Sequence, residues 1–579
     1  MKDERYDTLP RGTGTRAGPL FGWLVAVLAA TNGGRAADLF ATSLAQLNTS
    51  IRQARPGDTV TMANGTWTNA DILFKRSGTA DNVVTLRAQT PGQVFLTGAS
   101  RLRMAGSYLA VEGLTFKQGY LASGDVIAFR EDPYSPAANC HLSNCAIIDY
   151  NPPTRDAETR WVSLYGFSNR VDHCSFQGKE NSGALLVVWL PSAISPDATR
   201  PNFHQIDHNY FGQRPDLGIN NGETIRIGDA ATSFDISHTV VEANYFNECI
   251  GEIEIISNKS CENVYRHNTF VDCEGALTLR HGNRCTVEGN FFLGHGKPRT
   301  GGVRIMGEDH KVFNNYFQDL AGAEGRAALS IMQGLVDSPL NGYFQVKNAI
   351  VAFNTFINCD HGLVIGLADT LTGTSRETTL PPVDCRIANN LVYSTRNQLV
   401  DQRITPVNLT WEGNLMFGTT LGISVDSGIT LADPMLVEAG NRLWRPAPDS
   451  PALGAAQGEY SFVTTDADGQ ARPARKDVGC DQAAVGGVTQ RPLTPADVGP
   501  AWMALSIQTL DHDGQKFTLR WNATPGVTYQ VQFSADLATW QDAGPAITSS
   551  HSIETWSDSP VTASTSVGSW RFYRLTQLP

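Results

Sequence analysis

One short pattern recurs through the middle of this chain and restricts the folds open to it. Asn, then an aromatic residue or Thr, then Phe appears at Asn209, Asn244, Asn268, Asn290, Asn315 and Asn354, with weaker copies at Asn390 and Asn414. The intervals are 35, 24, 22, 25, 39, 36 and 24 residues. A short basal period broken by insertions is the mark of a solenoid. Around each copy, stretches such as 241–246 and 276–279 alternate apolar with polar residues and end at Gly, Asn or Asp, which reads as strand and turn. Helical periodicity is nearly absent. The expected fold is all-β, a right-handed parallel β-helix with insertions as loops over one face. The Asn is expected to turn a corner in left-handed backbone while bonding neighbouring amides. The Phe should stack on its copy in the next coil, about 4.8 Å away.

The cysteines keep the same register. Cys249, Cys261, Cys273 and Cys285 are each 12 apart, so alternate members occupy equivalent sites one coil apart. That spacing lacks the close pairs of a zinc site. Buried thiols are expected, with disulfides open to an exported chain.

Residues 1–37 read as a signal peptide: Arg11 and Arg16 precede an apolar run at 20–30, and small residues follow near 34–37. The run is short for a membrane span, so no membrane insertion is expected after cleavage, and the protein should be secreted or periplasmic. Net charge is −12, and the leader carries five basic and three acidic residues, so its loss leaves −14. Such a chain is a poor general partner for nucleic acid. A polyanionic substrate would need local cations, and Lys259, Arg280, His281, Arg284, Lys297, Arg299 and Arg304 fall within one stretch. Residues 38–484 should form the β-helix, opened by a capping helix within 39–55 and closed by a Pro-rich cap over 431–484. Residues 485–500 read as a linker. Residues 501–579 read as a small immunoglobulin- or fibronectin III-like β-sandwich, with Trp540 and Trp556 as core or carbohydrate-facing residues.

The chemistry concentrates between 250 and 283. Glu252 and Glu254, two residues apart in a β-rich run, should project from one face of a strand. Two such acids repel unless a cation lies between them, and a hard divalent ion such as calcium would resolve the repulsion. Lys259 and Arg280, 21 residues apart and so about one coil, add a base and a cationic acid or charge sink.

These residues resemble polysaccharide lyase family 6, the family of alginate lyases and chondroitinase B. The likeness runs from about 41 to 484. It rests on P-G-D-T-V at Pro56, F-K-R-S-G-T-A at Phe74, F-Q-G-K-E-N-S-G at Phe176 and N-N-G-E-T-I-R-I-G at Asn220. G-E-I-E-I-I-S-N-K-S at Gly251, L-T-L-R-H-G-N at Leu277 and G-G-V-R-I-M-G-E-D-H at Gly301 complete it, in order. The resemblance implies a β-helix fold and calcium held by Asn220, Glu252 and Glu254. It further implies Lys259 as base, Arg280 as acid, and His281 and Arg304 against the sugar carboxylate and hydroxyls. Relatives usually show N-G-G-E where this chain has N-N-G-E, so Asn221 replaces a Gly.

The implied reaction removes the C5 proton of a uronic acid and expels the oxygen at C4. Lys259 accepts that proton only as the free amine. Arg280 is a weak proton donor by its own chemistry and is better suited to steadying the leaving oxygen. The expected partner is an acidic polysaccharide, alginate ahead of dermatan sulfate, cleaved by a monomeric enzyme. Two other readings compete. A glycoside hydrolase on the same fold needs close carboxylates, whereas Asp229, Asp235 and Asp272 are scattered. A glycan-binding adhesin would bind without cleaving.

Overall fold

Each coil of the solenoid contributes three short strands, because the chain turns at three corners where the backbone enters the left-handed region. The computed structural model describes residues 36–579 apart from 191–199, 219, 425–426, 484–486, 504–506, 513–515, 524–526, 535–538, 550–552, 558–571 and 578–579. The expected signal peptide therefore lies almost wholly outside the described residues. Three long sheets of 14, 13 and 14 strands run side by side along the molecule. In all three, neighbouring strands are parallel and belong to successive coils, as in Val240–Glu242 on Val264–Arg266 and Tyr245–Asn247 on Thr269–Val271. This is the expected parallel β-helix. A helix at Leu44–Gln53, shorter than the 39–55 span, lies near its start and is capped by the Ser43 side chain accepting from Gln46 N.

The repeat explains the core. The Phe rings at 211, 246, 270, 292, 317 and 356 stack face to face with centroids 4.5–4.9 Å apart. That is the strand-to-strand spacing, so one aromatic per coil fills the same slot repeatedly. The Asn residues bond neighbouring amides as expected but do not themselves take the left-handed backbone. Positive φ belongs to the residue before each one, as at His208, Ala243, His267, Asn314 and Phe353. The Asn itself is wholly buried and forms a ladder. Asn290 Oδ1 accepts from the backbone N and Nδ2 of Asn268, both at 3.0 Å, while Asn290 Nδ2 donates to Tyr265 O at 2.9 Å and to Asn315 Oδ1 at 2.9 Å. The same bonds link Asn209, Asn244, Asn268, Asn290, Asn315, Asn354, Asn390 and Asn414 in order. The corner backbone would otherwise bury unpaired donors.

All ten cysteines are free and buried, including Cys249, Cys261, Cys273 and Cys285. The Pro-rich region covers a flank. Leu443, Ala452, Ala467, Val478 and Cys480 pack on Phe291, Tyr316, Ile357, Leu391 and Leu415, the outer face of the third sheet. The segment read as a linker continues that path toward earlier coils. Leu493 N donates to Thr269 Oγ1, Gly499 N to His208 O, and Trp502 Nε1 to Asn144 O. Residues 435–483 and 487–503 thus lie as a strap running back along the solenoid. Beyond it lie two small antiparallel sheets of three and four strands, the expected sandwich, with Leu519, Trp521, Tyr529 and Val531 in its core.

Two outcomes are expected. Asn290→Ala leaves at least two donors and a carbonyl buried without partners and should cost about 3 kcal/mol, read as a lower midpoint in thermal or denaturant unfolding. A midpoint unmoved by the substitution would deny the ladder its role. Truncation after residue 482 should lower the thermal midpoint of the β-helix, whereas truncation after residue 503, which keeps the strap, should not.

Candidate active site

The strands that carry the site are neighbours in the 13-stranded sheet: Ile225–Gly228, Glu254–Lys259, Ala276–His281 and Val303–Ile305. Their inward residues, Ile225, Ile227, Ile256, Leu277, Leu279, Val303 and Ile305, are wholly buried. Alternation therefore turns Arg226, Ser257, Thr278 and Arg304, which are in register, to the outer face. Two register slips interrupt this order. Between Glu254 and Ile256 the first strand spends an extra residue, Ile255, against Ala276 and Leu277. Between Leu279 and His281 the next strand spends an extra residue, Arg280, against Asn258 and Lys259. Bulges re-aim side chains. Here Glu254 joins the outer face with Ser257, whose hydroxyl donates to Glu254 Oε2.

The paired acids therefore do not share one strand face as expected. The strand begins at Glu254, and Glu252 sits in the bend before it. They come together with a third acid that the reading of residue pairs passed over. Glu223 is 1% exposed, and its Oε1 lies 3.9 Å from Lys259 Nζ. Glu252 Oε1 and Glu223 Oε2 are buried with no hydrogen-bond partner in the described structure. Burial, then the charges of Glu223 and Glu254, push the Glu252 carboxyl up to about 9, against the pull of Lys259 and Arg214. Orphaned carboxylate oxygens that repel each other fit a hard divalent cation. Among the described residues, no three acidic, imidazole or thiol groups already converge at metal-binding distance; Glu254 is instead engaged by Ser257 and, at 3.8 Å, by Arg280 Nε. Asn220 is exposed, and Asn221 has φ +74. Asn is the residue after Gly that best tolerates such backbone, which accounts for its standing where a Gly is usual.

Arg280 is held from the opposite side. Its Nη1 donates to Gly342 O at 2.5 Å, its Nη2 to Asn341 O at 3.2 Å, and its guanidinium lies 4.1 Å from the centre of the Tyr343 ring. This 341–343 clamp comes from a distant loop and has no signal in the motifs. His281 pairs in register with Lys259 and is 2% exposed. Burial, and then the charges of Arg280 and Lys259, drive its pKa down to about 2, so the ring is neutral. Its Nδ1 shares a hydrogen bond with Ser233 Oγ at 3.1 Å. Arg304 lies one coil further, 4% exposed and bound to Asp369 Oδ2 at 2.7 Å. Three more of the expected cations are taken up elsewhere. Arg284 pairs with Glu262, Lys297 with Glu248 and Asp272, and Arg299 with Asp216 and Glu274.

Toward the N-terminal coils, the same sheet carries a cavity of about 580 Å³ lined by Arg130, Arg160, Tyr165, Trp189, Asp229 and Thr232 among others. Tyr165 and Trp189 stack with centroids 6.0 Å apart, Arg130 lies 3.7 Å over Tyr165, and Arg226 lies 5.2 Å from Trp189. Asp229 directly follows Gly228, the register partner of Lys259, so the cavity adjoins the Lys259 end of the strand.

The raised Glu252 pKa has a testable consequence for the metal-free protein. The folded state holds this proton above pH 4.5, the ordinary value, up to about 9. The unfolded state does not hold it there, so stability falls as pH rises through that window. Glu252→Gln should raise the thermal midpoint in chelator at pH 8 and flatten its decline between pH 5 and 9. An unchanged slope would show that Glu252 does not dominate it.

A sequence profile described as Chondroitinase B matches residues 41–456, well over half of the chain. Among curated proteins no sequence match is found. Among solved structures, the alginate lyase AlyGC of polysaccharide lyase family 6 is similar at 38% identity and a TM-score of 0.67, over 71% of this chain. This chain spans only 55% of the AlyGC chain. A mannuronic acid-specific family 6 lyase from human gut microbiota is 31% identical over 69% of this chain and 91% of its own, with a TM-score of 0.60. The family 6 polysaccharide lyase of Pseudopedobacter saltans is 26% identical over 80% of this chain and 99% of its own, with a TM-score of 0.61. With the profile spanning the solenoid and its acidic bend, and these likenesses beside it, the chain belongs to the chondroitinase B family, polysaccharide lyase family 6.

Proposed function

We propose that the protein is a calcium-dependent lyase that cleaves alginate by β-elimination, exported by its N-terminal leader. The observation that carries this reading is the gathering of Lys259, Arg280 and the acids Glu223, Glu252 and Glu254 on three successive coils, next to an open cavity. Glu252, Glu254 and the Asn220 amide are the residues that would hold the cation. Bound there, calcium would neutralise the substrate carboxylate and so make the neighbouring C5 proton more acidic. Lys259 Nζ takes the C5 proton, the C4–C5 double bond forms, and the bond from C4 to the glycosidic oxygen breaks. Arg280, fixed by the 341–343 clamp, steadies charge on that oxygen without reorganising, and the oxygen gains its proton from solvent. Neutral His281, buried next to Lys259, adds no positive charge of its own. The aromatic cavity gives neighbouring sugar units a surface to pack against.

Alginate is favoured over dermatan sulfate because the additional cations a sulfated chain would demand, Arg284, Lys297 and Arg299, are already paired with acids. The names of the relatives point the same way: AlyGC is described as an alginate lyase. A hydrolase is disfavoured because Asp229 caps the turn Ala230–Thr232 and Asp272 is bound by His295 and Lys297.

The test is ultraviolet absorbance of the unsaturated uronate, which neither a hydrolase nor an adhesin produces. Alginate should give the signal, dermatan sulfate little, and chelator should abolish it until calcium is restored. Lys259→Ala should lower kcat about 10²–10⁴-fold with the fold retained. A rate within about tenfold of wild type would remove Lys259 from the mechanism.

A further inference from the structure

Beneath the acids lie two buried cations that the elimination does not use. Arg214 and Lys179 are both 0% exposed. Among the described residues, the Arg214 side chain donates only to backbone carbonyls: Nη1 to Glu223 O at 2.5 Å, and Nη2 to Gly183 O at 2.8 Å, Asn181 O at 3.0 Å and Asn221 O at 3.4 Å. Lys179 Nζ braces the same loop through Asn181 O, Asn181 Oδ1 and Ser182 O. The Arg214 backbone reaches the next coil, taking Ile250 N at 3.0 Å and donating to Glu248 O at 3.1 Å. A Cβ on Gly251 would stand 2.9 Å from Arg214 Nε and 2.2 Å from Gly222 O, so the guanidinium fills the narrow gap between the bends that carry Glu223 and Glu252. One residue therefore ties three coils together where the acids stand.

Neutral amides could bind these carbonyls, and burying a charge is costly. Burial pulls the Arg214 guanidinium down to about 10, and Glu223, Cys249 and Glu252 oppose that shift. We propose that Arg214 is the positioning residue of the cation site: its fork fixes residues 221–223 against the bend at 250–252, and so sets the backbones that carry Glu223 and Glu252 before a cation arrives. This rests on the calcium reading above. Arg214 touches neither substrate nor reacting atoms.

The test is calorimetric titration of calcium chloride into full-length protein at 25 °C, with wild type, Arg214→Lys and Arg214→Met, each checked for fold by circular dichroism. Arg214→Met should weaken calcium binding about 10- to 100-fold, the effect of losing a partner that orients ligands. Arg214→Lys, which keeps the charge but loses the planar fork, should fall between it and wild type. The kcat of both variants should recover at saturating calcium, which a merely loosened fold would not show. Equal affinity in all three proteins overturns the role of Arg214 alone. Wild type without calcium binding overturns the calcium reading and this proposal with it. Loss of fold in both variants overturns the proposal in favour of a structural brace.

Discussion

Everything in this molecule hangs on the buried asparagine ladder. A parallel β-helix must turn sharply three times per coil, and each turn leaves backbone donors and acceptors inside. The Asn amide supplies one acceptor and two donors at one height per coil, so each coil satisfies the corner of the coil before it. The Phe stack beside it fills the slot left by the same corner. Together they set the rise per coil at the strand spacing through the middle of the solenoid, from residue 209 to 414.

On so regular a scaffold, the site is made by departures from regularity. The extra residue at Ile255 turns Glu254 outward, and the extra residue at Arg280 places that side chain opposite it. Without the slips, Glu254 would share the face of Ile256 and enter the core, where an unpaired carboxylate is prohibitively costly. Function here depends on the two places where the ladder of one sheet loses step.

The charges follow a similar logic. Most cations that crowd the sequence between 259 and 304 are neutralised by partners on adjacent coils, as Arg284 is by Glu262. The acids of the site are met only at longer range, Glu223 by Lys259 at 3.9 Å and Glu254 by Arg280 at 3.8 Å. Glu252 resists ionisation, Glu223 keeps an orphaned oxygen, and the compensating charge of Arg214 sits below rather than beside them. A site arranged so is unfavourable when empty and favours whatever positive charge can enter it.

The sequence by itself determined the solenoid, its period, the aromatic stack and the grouping of Glu252, Glu254, Lys259 and Arg280, because coil repetition converts a spacing of 21–25 residues into contact. It placed the Asn residues at the corners but gave them the wrong backbone, since a ladder of side-chain amides and a left-handed turn favour the same residue type. It also carried Glu223 in plain view, within N-N-G-E, with nothing to say that the carboxyl would lie near Lys259. Only the tertiary structure decided which cations remain free, where the bulges fall, that residues 341–343 hold Arg280, and that residues 435–483 and 487–503 lie along the solenoid as a strap. These depend on pairings between segments up to hundreds of residues apart, such as Trp502 with Asn144. No periodicity records such distances; the insertions that break the repeat are free to close on whichever coil offers a complementary surface.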